Sequence, residues 1–111
     1  MSIPDEEASP VHFESEGEFS EAVATGDRVL VDYHADWCGP CKMLEPTVEE
    51  IAEETDVLVG KVDIDELQTL ARDEGIRSVP TLQFYADGEE VERLIGVQEK
   101  DEILEILSRF K

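Results

Sequence analysis

Basic residues are scarce in this chain. Its 111 residues include nine Lys and Arg against 29 Asp and Glu, which gives a formal net charge of -20. Nucleic acids and anionic membranes are bound through clustered basic side chains, so this balance argues against both kinds of partner. Long apolar runs are missing as well, and no window approaches the length of a transmembrane helix. Residues 1–7 have neither the basic nor the apolar part of a secretory signal, so we expect a cytoplasmic protein.

Cysteine and histidine are scarce too, and the chain has only Cys38, Cys41, His12 and His34. Zinc usually takes four such ligands, and their spacing here matches no common zinc pattern, so a small zinc protein is the third interpretation in order of preference. Only two residues separate the cysteines, and so small a loop constrains the unfolded chain too little for a purely stabilising disulfide. In a cytoplasmic chain such a pair is more often catalytic or metal-binding than structural. We expect no bound metal and no bound cofactor.

The excess of acidic residues has two explanations. One is an ordinary solvated surface, because most of the acids fall between apolar positions. The other is adaptation to a salt-rich cytoplasm, in which dissolved ions screen the self-repulsion that this charge causes. Lysine is rare, at positions 42, 61, 100 and 111, and acids dominate nearly every predicted helix surface, so we favour the second explanation.

Composition and apolar spacing predict a flexible acidic arm over residues 1–9 and one domain over residues 10–111. Predicted strands cover residues 11–13, 29–34, 57–62, 81–85 and 91–95. Predicted helices follow the capping-box residue Ser15, run from about Gly39 to Glu54 with a kink at Pro46, begin near Asp65, and end the chain with Ile103, Leu104, Leu107 and Phe110 facing inward. Asp87-Gly88 is a strong hairpin signal between the last two strands. This order is typical of an α/β protein with a mixed sheet and helices on both faces.

The segment Trp37-Cys38-Gly39-Pro40-Cys41 lies where the second predicted strand gives way to a helix. Backbone N–H groups and the positive end of the helix dipole favour a negative sulfur at such a junction. The thiolate is the nucleophilic form of cysteine, so surroundings that favour it raise reactivity. Pro40 suits the first helical turn, where a missing N–H costs little. Two thiols this close can cycle between a dithiol and a disulfide.

Together with motifs elsewhere, this segment gives the chain a resemblance to the thioredoxin family over about residues 11–111. The motifs, in the family's order, are Val31-Asp32-Tyr33, Trp37-Cys38-Gly39-Pro40-Cys41-Lys42, Pro46, Lys61-Val62-Asp63-Ile64-Asp65, Val79-Pro80-Thr81, Asp87-Gly88 and Gly96. A Cys-x-x-Cys beside a strand–helix–strand pattern is the known signature of thioredoxin-like redox proteins. The resemblance implies the thioredoxin fold, a central mixed sheet of four to five strands flanked by about four helices. It also implies reduction of protein disulfides by dithiol–disulfide exchange.

The resemblance assigns roles within the site. Cys38 would be the nucleophile that attacks a substrate disulfide, and Cys41 would resolve the resulting mixed disulfide. Asp32 would be the general base for Cys41, whereas the residues alone favour an inert, solvated Asp near a strand end. Lys61 would lie near Asp32 and favour its ionised form, and the alternative is an ordinary surface lysine. Pro80 would follow a cis peptide bond and face the cysteines, and the alternative is a trans proline at a strand start.

In the family an apolar rim surrounds the active cysteine, and the matching residues here are Trp37, Gly39, Pro40, Val79, Gly96 and Val97. They would contact the substrate chain, although Trp37 could instead be packed and Gly96 could simply permit close backbone approach. Oxidising relatives more often carry a histidine between the cysteines. The Gly-Pro pair offers no such charge, so we expect this chain to act as a reductant.

Two positions depart from the family's pattern. Ser78 stands where a glycine is frequent, and His34 stands where many members carry a tryptophan. His34 has two interpretations. It is either a histidine without a role or a group that changes the electrostatics around Asp32 and the cysteines, because imidazole titrates near neutral pH.

The resemblance also implies partners. A thioredoxin reductase, linked to a nicotinamide or to ferredoxin, would supply the electrons, and disulfide-containing proteins would be the substrates. We expect a monomer. The alternative function is that of a thioredoxin-like binding module within a larger assembly, in which the redox couple is incidental.

Overall fold

The computed structural model describes residues 9–111, whose five strands form one mixed sheet. The elements in chain order are β1 (Val11–His12), α1 (Glu16–Thr25), β2 (Arg28–His34), α2 (Gly39–Glu54), β3 (Leu58–Asp63), α3 (Gln68–Asp73), β4 (Thr81–Ala86), β5 (Glu89–Ile95) and α4 (Lys100–Ser108). The strand order is β1-β3-β2-β4-β5, with β1, β3 and β2 parallel and β4 and β5 antiparallel to their neighbours. This architecture confirms the predicted α/β fold. Of the arm predicted over residues 1–9, residues 1–8 lie outside the described part.

Local sequence signals set the ends of several elements. Ser15 is the N-cap of α1, and its Oγ accepts a hydrogen bond from the Glu18 N–H at 3.1 Å. Gly26 ends the same helix. Asp87 and Gly88 have φ of 53° and 86° and form the turn between β4 and β5, because both central residues of this turn type need positive φ. The capping and hairpin predictions are therefore confirmed.

The two large apolar clusters of the core lie on opposite faces of the sheet, and a small third one surrounds the cysteines. On one face, α2 and α4 pack with the sheet in a cluster of Leu30, Leu44, Val48, Ile51, Ala52, Val57, Val59, Leu82, Phe84, Ile103, Ile106 and Leu107. On the other face, α1 and α3 contribute to a cluster of Phe13, Phe19, Val29, Val31, Tyr33, Val62, Leu70 and Tyr85. Successive side chains of a strand point to opposite faces, so Asp32 lies on the α2 side of β2 with Leu30 and His34.

Helix α2 has its predicted bounds, and Pro46 lies inside it without ending it. The final helix differs from its prediction at the C-terminal end. It stops at Ser108, so Phe110 lies beyond it and is half-buried, while Ile106 is among its buried residues. The last backbone N–H groups, of Arg109 and Phe110, bond to carbonyls three residues back, which tightens the final turn, and Phe110 still packs inward against the core as predicted.

Candidate active site

Cys38 and Cys41 form a disulfide at the junction between β2 and α2, with their Cα atoms 5.3 Å apart. Cys38 is the N-cap of α2, and its Sγ accepts a hydrogen bond from the Cys41 N–H at 3.1 Å. Pro40 lies in the first turn, as predicted. Cys38 therefore has a backbone donor and the positive end of a helix of 16 residues directed at its sulfur.

Both cysteines are buried in the oxidised chain. Cys38 is 3% exposed and Cys41 is 6% exposed, and they pack with Ala35, Ile64 and Val79. The Sγ of Cys38 lies 3.6 Å from the backbone oxygen of Val79, a contact only, because a disulfide sulfur has no proton to donate. Exposure does not distinguish the two cysteines here, whereas their positions relative to the start of α2 differ.

A carboxyl group and an ammonium group are buried on neighbouring strands behind the disulfide. Asp32 on β2 and Lys61 on β3 are register partners, and they are 2% and 5% exposed. Burial raises the pKa of Asp32 to about 6, while the charge of Lys61 opposes this rise and that of Glu45 adds to it. Lys61 Nζ lies 3.2 Å from Glu45 Oε2. The two sequence-based alternatives, a solvated Asp32 and a surface Lys61, are therefore wrong.

Two loops meet beside the cysteines. A cis peptide bond joins Val79 to Pro80. The N–H of Gly96 donates to the Pro80 backbone oxygen at 2.8 Å, so the loop after β5 is tied to the segment before β4. Gly96 has φ of 94°, a conformation that costs glycine little and other residues much.

Large apolar side chains lie exposed at this end of the molecule. Trp37 is 69% exposed, and its Nε1 donates to Asp65 Oδ2 at 2.9 Å, which restrains the indole without burying it. Ile95 and Val97, which flank Gly96, are 66% and 46% exposed. Exposed apolar residues in such number near a reactive group are typical of a surface that binds another chain. The alternative that Trp37 is merely packed is wrong.

Comparison with known proteins adds independent evidence on the family. The model of the Thioredoxin family matches residues 10–109. A thioredoxin of Chlamydia caviae is 45% identical over 92 residues, which cover 82% of this chain and 89% of that protein. The solved structure of a mutant thioredoxin from Halobacterium salinarum NRC-1 superimposes with a TM-score of 0.89 at 44% identity, covering 99% of this chain and 95% of that one.

The chain belongs to the thioredoxin family. It is a thiol–disulfide oxidoreductase that reduces protein disulfides by dithiol–disulfide exchange through its cysteine pair. In general terms its partners are disulfide-containing proteins and a reductase that restores the dithiol.

The thioredoxin fold brings most of the predicted site residues to one end of the sheet. Cys38 and Cys41 contact the Val79 segment, and Gly96 is bonded to Pro80. Of the predicted rim, Trp37, Gly39, Pro40 and Val97 are exposed, whereas Val79 and Gly96 are half-buried. Asp32 and Lys61 lie deeper and are screened from solvent.

Sequence reasoning missed Glu45 and Ile95. Glu45 lies four residues after Cys41 in α2, so it projects from the same face of the helix and reaches Lys61. That spacing was the available signal. Ile95 sits beside Gly96 at the end of β5, and its 66% exposure follows from strand alternation once Leu94 is placed inward.

Three further observations concern other kinds of site. Within residues 9–111, no three His, Cys, Asp or Glu side chains are grouped so that they could hold a metal ion. In the same stretch, none of the helices combines the length and the apolar character needed to span a bilayer. A pocket of about 510 Å³ lies by the start of β2 and the β4–β5 turn, at the opposite end of β2 from the cysteines.

Proposed function

We propose that Cys38 is the nucleophile of this thioredoxin. The observation that carries the proposal is its place at the N-cap of α2, where the Cys41 N–H lies 3.1 Å from its sulfur. The same N–H and the helix dipole favour a thiolate at this position after reduction. That thiolate attacks one sulfur of a substrate disulfide, the substrate's other sulfur leaves as a thiolate, and a mixed disulfide with Cys38 forms.

Cys41 then resolves the mixed disulfide. It loses its proton to Asp32, and its sulfur attacks Cys38, so the chain becomes the disulfide and the substrate leaves as a dithiol. A carboxyl group whose pKa is about 6 is suited to accept and release a proton near neutral pH. The positive charge of Lys61, buried beside Asp32, lowers this pKa and so limits the rise that burial causes.

The substrate chain binds over the apolar rim of Trp37, Gly39, Pro40, Val79, Gly96 and Val97, with Pro80 facing the cysteines. Exposure of the indole and of Val97, and the bond between the Gly96 and Pro80 backbones, support this assignment. Residues 10–111 act as the single catalytic domain, and residues 1–9 act as an acidic arm outside it.

The chain works as a cytoplasmic monomer without a bound cofactor. Its electrons come from a separate thioredoxin reductase, linked to a nicotinamide or to ferredoxin. The Gly39-Pro40 pair brings no additional charge to the thiolate, which supports a reducing role.

The rate at which dithiothreitol reduces insulin in the presence of the protein tests the mechanism. Cys38→Ser should reduce catalysis to the rate of dithiothreitol alone, because no thiolate remains to begin the exchange. Reduced Cys41→Ser, freed of dithiothreitol before insulin is added, should retain one attack and accumulate a mixed disulfide that gel electrophoresis without reductant detects. Catalysis that survives Cys38→Ser would contradict the assignment and would favour the alternative of a binding module with incidental redox activity.

The net charge of -20 supports a further part of the proposal, adaptation to a salt-rich cell. The solved neighbour is a thioredoxin from Halobacterium salinarum, an organism whose name refers to salt, and it shares the fold at 44% identity. Dissolved ions screen repulsion among exposed carboxylates, so the melting temperature should climb steeply between dilute buffer and molar potassium chloride. A melting temperature that stays flat over this range, measured by circular dichroism, would remove this part of the proposal.

A further inference from the structure

A pocket of about 150 Å³ lies behind the disulfide and does not belong to the substrate surface. Its inner wall includes Cys41, His34 and Lys61, and its outer wall includes the exposed side chains of His12, Asp36 and Glu45. Since a water molecule takes about 30 Å³ in the liquid, the pocket has room for several. Cys41 therefore lines an opening to solvent that is separate from the apolar rim, and His34 lies between this opening and Asp32, which is not one of the lining residues.

Among the buried side-chain nitrogen and oxygen atoms of residues 9–111, two have no hydrogen-bond partner, and both lie on this part of β2. They are Asp32 Oδ1 and His34 Nε2. The two side chains project from the same face of the strand, with Cα atoms about 7 Å apart. Buried polar atoms are nearly always paired in folded proteins, so two neighbouring exceptions call for an explanation.

The charges around His34 come from every neighbouring element. Lys61 and Asp63 face it from β3, His12 from β1, with ring centroids 5.9 Å apart, Asp36 from the following loop, and Cys41, Lys42 and Glu45 from α2 across the pocket. Burial and then Lys61 lower the pKa of His34 below its ordinary value, and Asp63 opposes them. The imidazole is therefore neutral at neutral pH, and a neutral ring has one nitrogen that accepts a hydrogen bond.

We propose that His34 is a positioning residue for proton transfer. It takes from Asp32 the proton that Asp32 has received from Cys41, and it passes a proton through this pocket to solvent. The inference rests on the proposed function, because it serves the second step of that exchange. The S–H bond of Cys41 breaks, its proton goes to the Asp32 carboxylate, and the sulfur forms a bond to Cys38 while the bond from Cys38 to the substrate breaks. The substrate gains the two electrons that the cysteine pair loses. Asp32 then loses the proton to His34 Nε2, and because this nitrogen is buried, the imidazolium releases the proton of its other ring nitrogen, Nδ1, into the pocket.

Single-turnover reaction with dithiobis(nitrobenzoate), with reduced protein in excess, separates the two steps. Attack by Cys38 releases one coloured thiol, and resolution by Cys41 releases the second. His34→Ala should leave the first release unchanged and slow the second about tenfold, a part of the roughly 10²–10⁴-fold that acid–base catalysis contributes. The loss should be largest at low buffer concentration, where no other acceptor reaches the pocket.

Chemical rescue distinguishes proton transfer from packing. Added imidazole should restore the second release of His34→Ala to within about twofold of the unaltered protein, with a dependence on the neutral form of imidazole. His12→Ala is the matched control, since it removes the other histidine of the same pocket. Its second release should stay normal and should not respond to imidazole.

The outcomes are distinct. A second release that stays normal in His34→Ala would overturn the proposal. A slow second release that imidazole does not restore would also overturn it, with a melting temperature lowered as much in His34→Gln as in His34→Ala pointing to lost packing. A protein without any first release would instead contradict the role of Cys38, and with it the proposed function. A slow second release, restored by imidazole in His34→Ala alone, supports the proposal.

Discussion

The two faces of the sheet both bury polar side chains, but only one face pairs them all. On the α1–α3 face the Tyr33 hydroxyl donates to Gln83 Oε1 at 2.7 Å, and Gln83 Nε2 donates to Glu74 at 2.8 Å and to Glu90 at 3.3 Å. Arg93 joins Glu90 at 2.7 Å, so the carboxylates are partly neutralised. On the α2–α4 face Asp32 is as deeply buried, and one of its oxygens has no partner within the described residues.

The difference shows how similar burial serves stability on one face and chemistry on the other. A network with partners for its buried groups stabilises a unique packing, because each donor and acceptor regains what it lost on leaving water. Asp32 lacks that compensation, so its charged form is costly and its pKa rises towards neutral pH. Groups shifted in this way cluster at functional sites.

Replacing the unpaired carboxyl group should have the largest effect. The pKa of Asp32 is raised from 3.8 to about 6, so the folded state holds a proton that the unfolded state loses as the pH rises through this range, and stability falls. Above about pH 6 the full cost applies, about 3 kcal/mol. Asp32→Asn should therefore raise the free energy of unfolding at pH 7 by about 3 kcal/mol, while the second, Cys41-dependent step slows about 10²-fold.

Urea unfolding at pH 7 and at pH 3.5 measures this gain, which should almost disappear at the lower pH because Asp32 is then mostly protonated in both states. Asp87→Asn is the matched control, since it makes the same chemical change in an exposed turn that asparagine also suits. A loss of stability in Asp32→Asn at pH 7 would show that the two faces are alike.

Breaking the paired network should have the opposite effects, a loss of stability without a loss of activity. Tyr33→Phe removes the hydroxyl donor and leaves Gln83 Oε1 buried without it, at a cost of about 1–3 kcal/mol. Disulfide reduction should continue at its normal rate, because the network lies across the sheet from Asp32. Urea unfolding and insulin turnover measure the two quantities, and a variant that kept its stability but lost activity would reverse the comparison.

The smallest expected effects come from the charges around Asp32. Lys61 lowers the pKa of this carboxyl group and Glu45 raises it, with Lys61 the stronger influence. Lys61→Met should therefore move the pH midpoint of the second step upward, and Glu45→Gln should move it downward by less, since Glu45 is half-exposed. The pH profile of the second thiol release measures both. Shifts of the same sign would exclude the arrangement of charges described above.

Much of the architecture was readable from local signals. The cap at Ser15, the turn at Asp87-Gly88 and the bounds of α2 follow from preferences that act within a few residues, and the structure has all three. The prediction that the last helix includes Phe110 was wrong, because the choice between another α-helical turn and a tighter one depends on the tertiary contacts that the side chains there make. The apolar period of α4 continues to Phe110 although the helix does not.

The amino-acid sequence by itself determined the redox pair, its place at a strand–helix junction, the alternation of strands and helices, and the acidic surface, because each depends on residue type and short spacing. Tertiary structure alone decided that Asp32 is buried without a full set of partners, that Lys61 is buried beside it, and that Glu45 and His34 share a pocket with Cys41. These facts depend on β3 lying in parallel register beside β2 and on α2 packing over both strands. Such contacts join residues far apart in the chain, and no local preference specifies them.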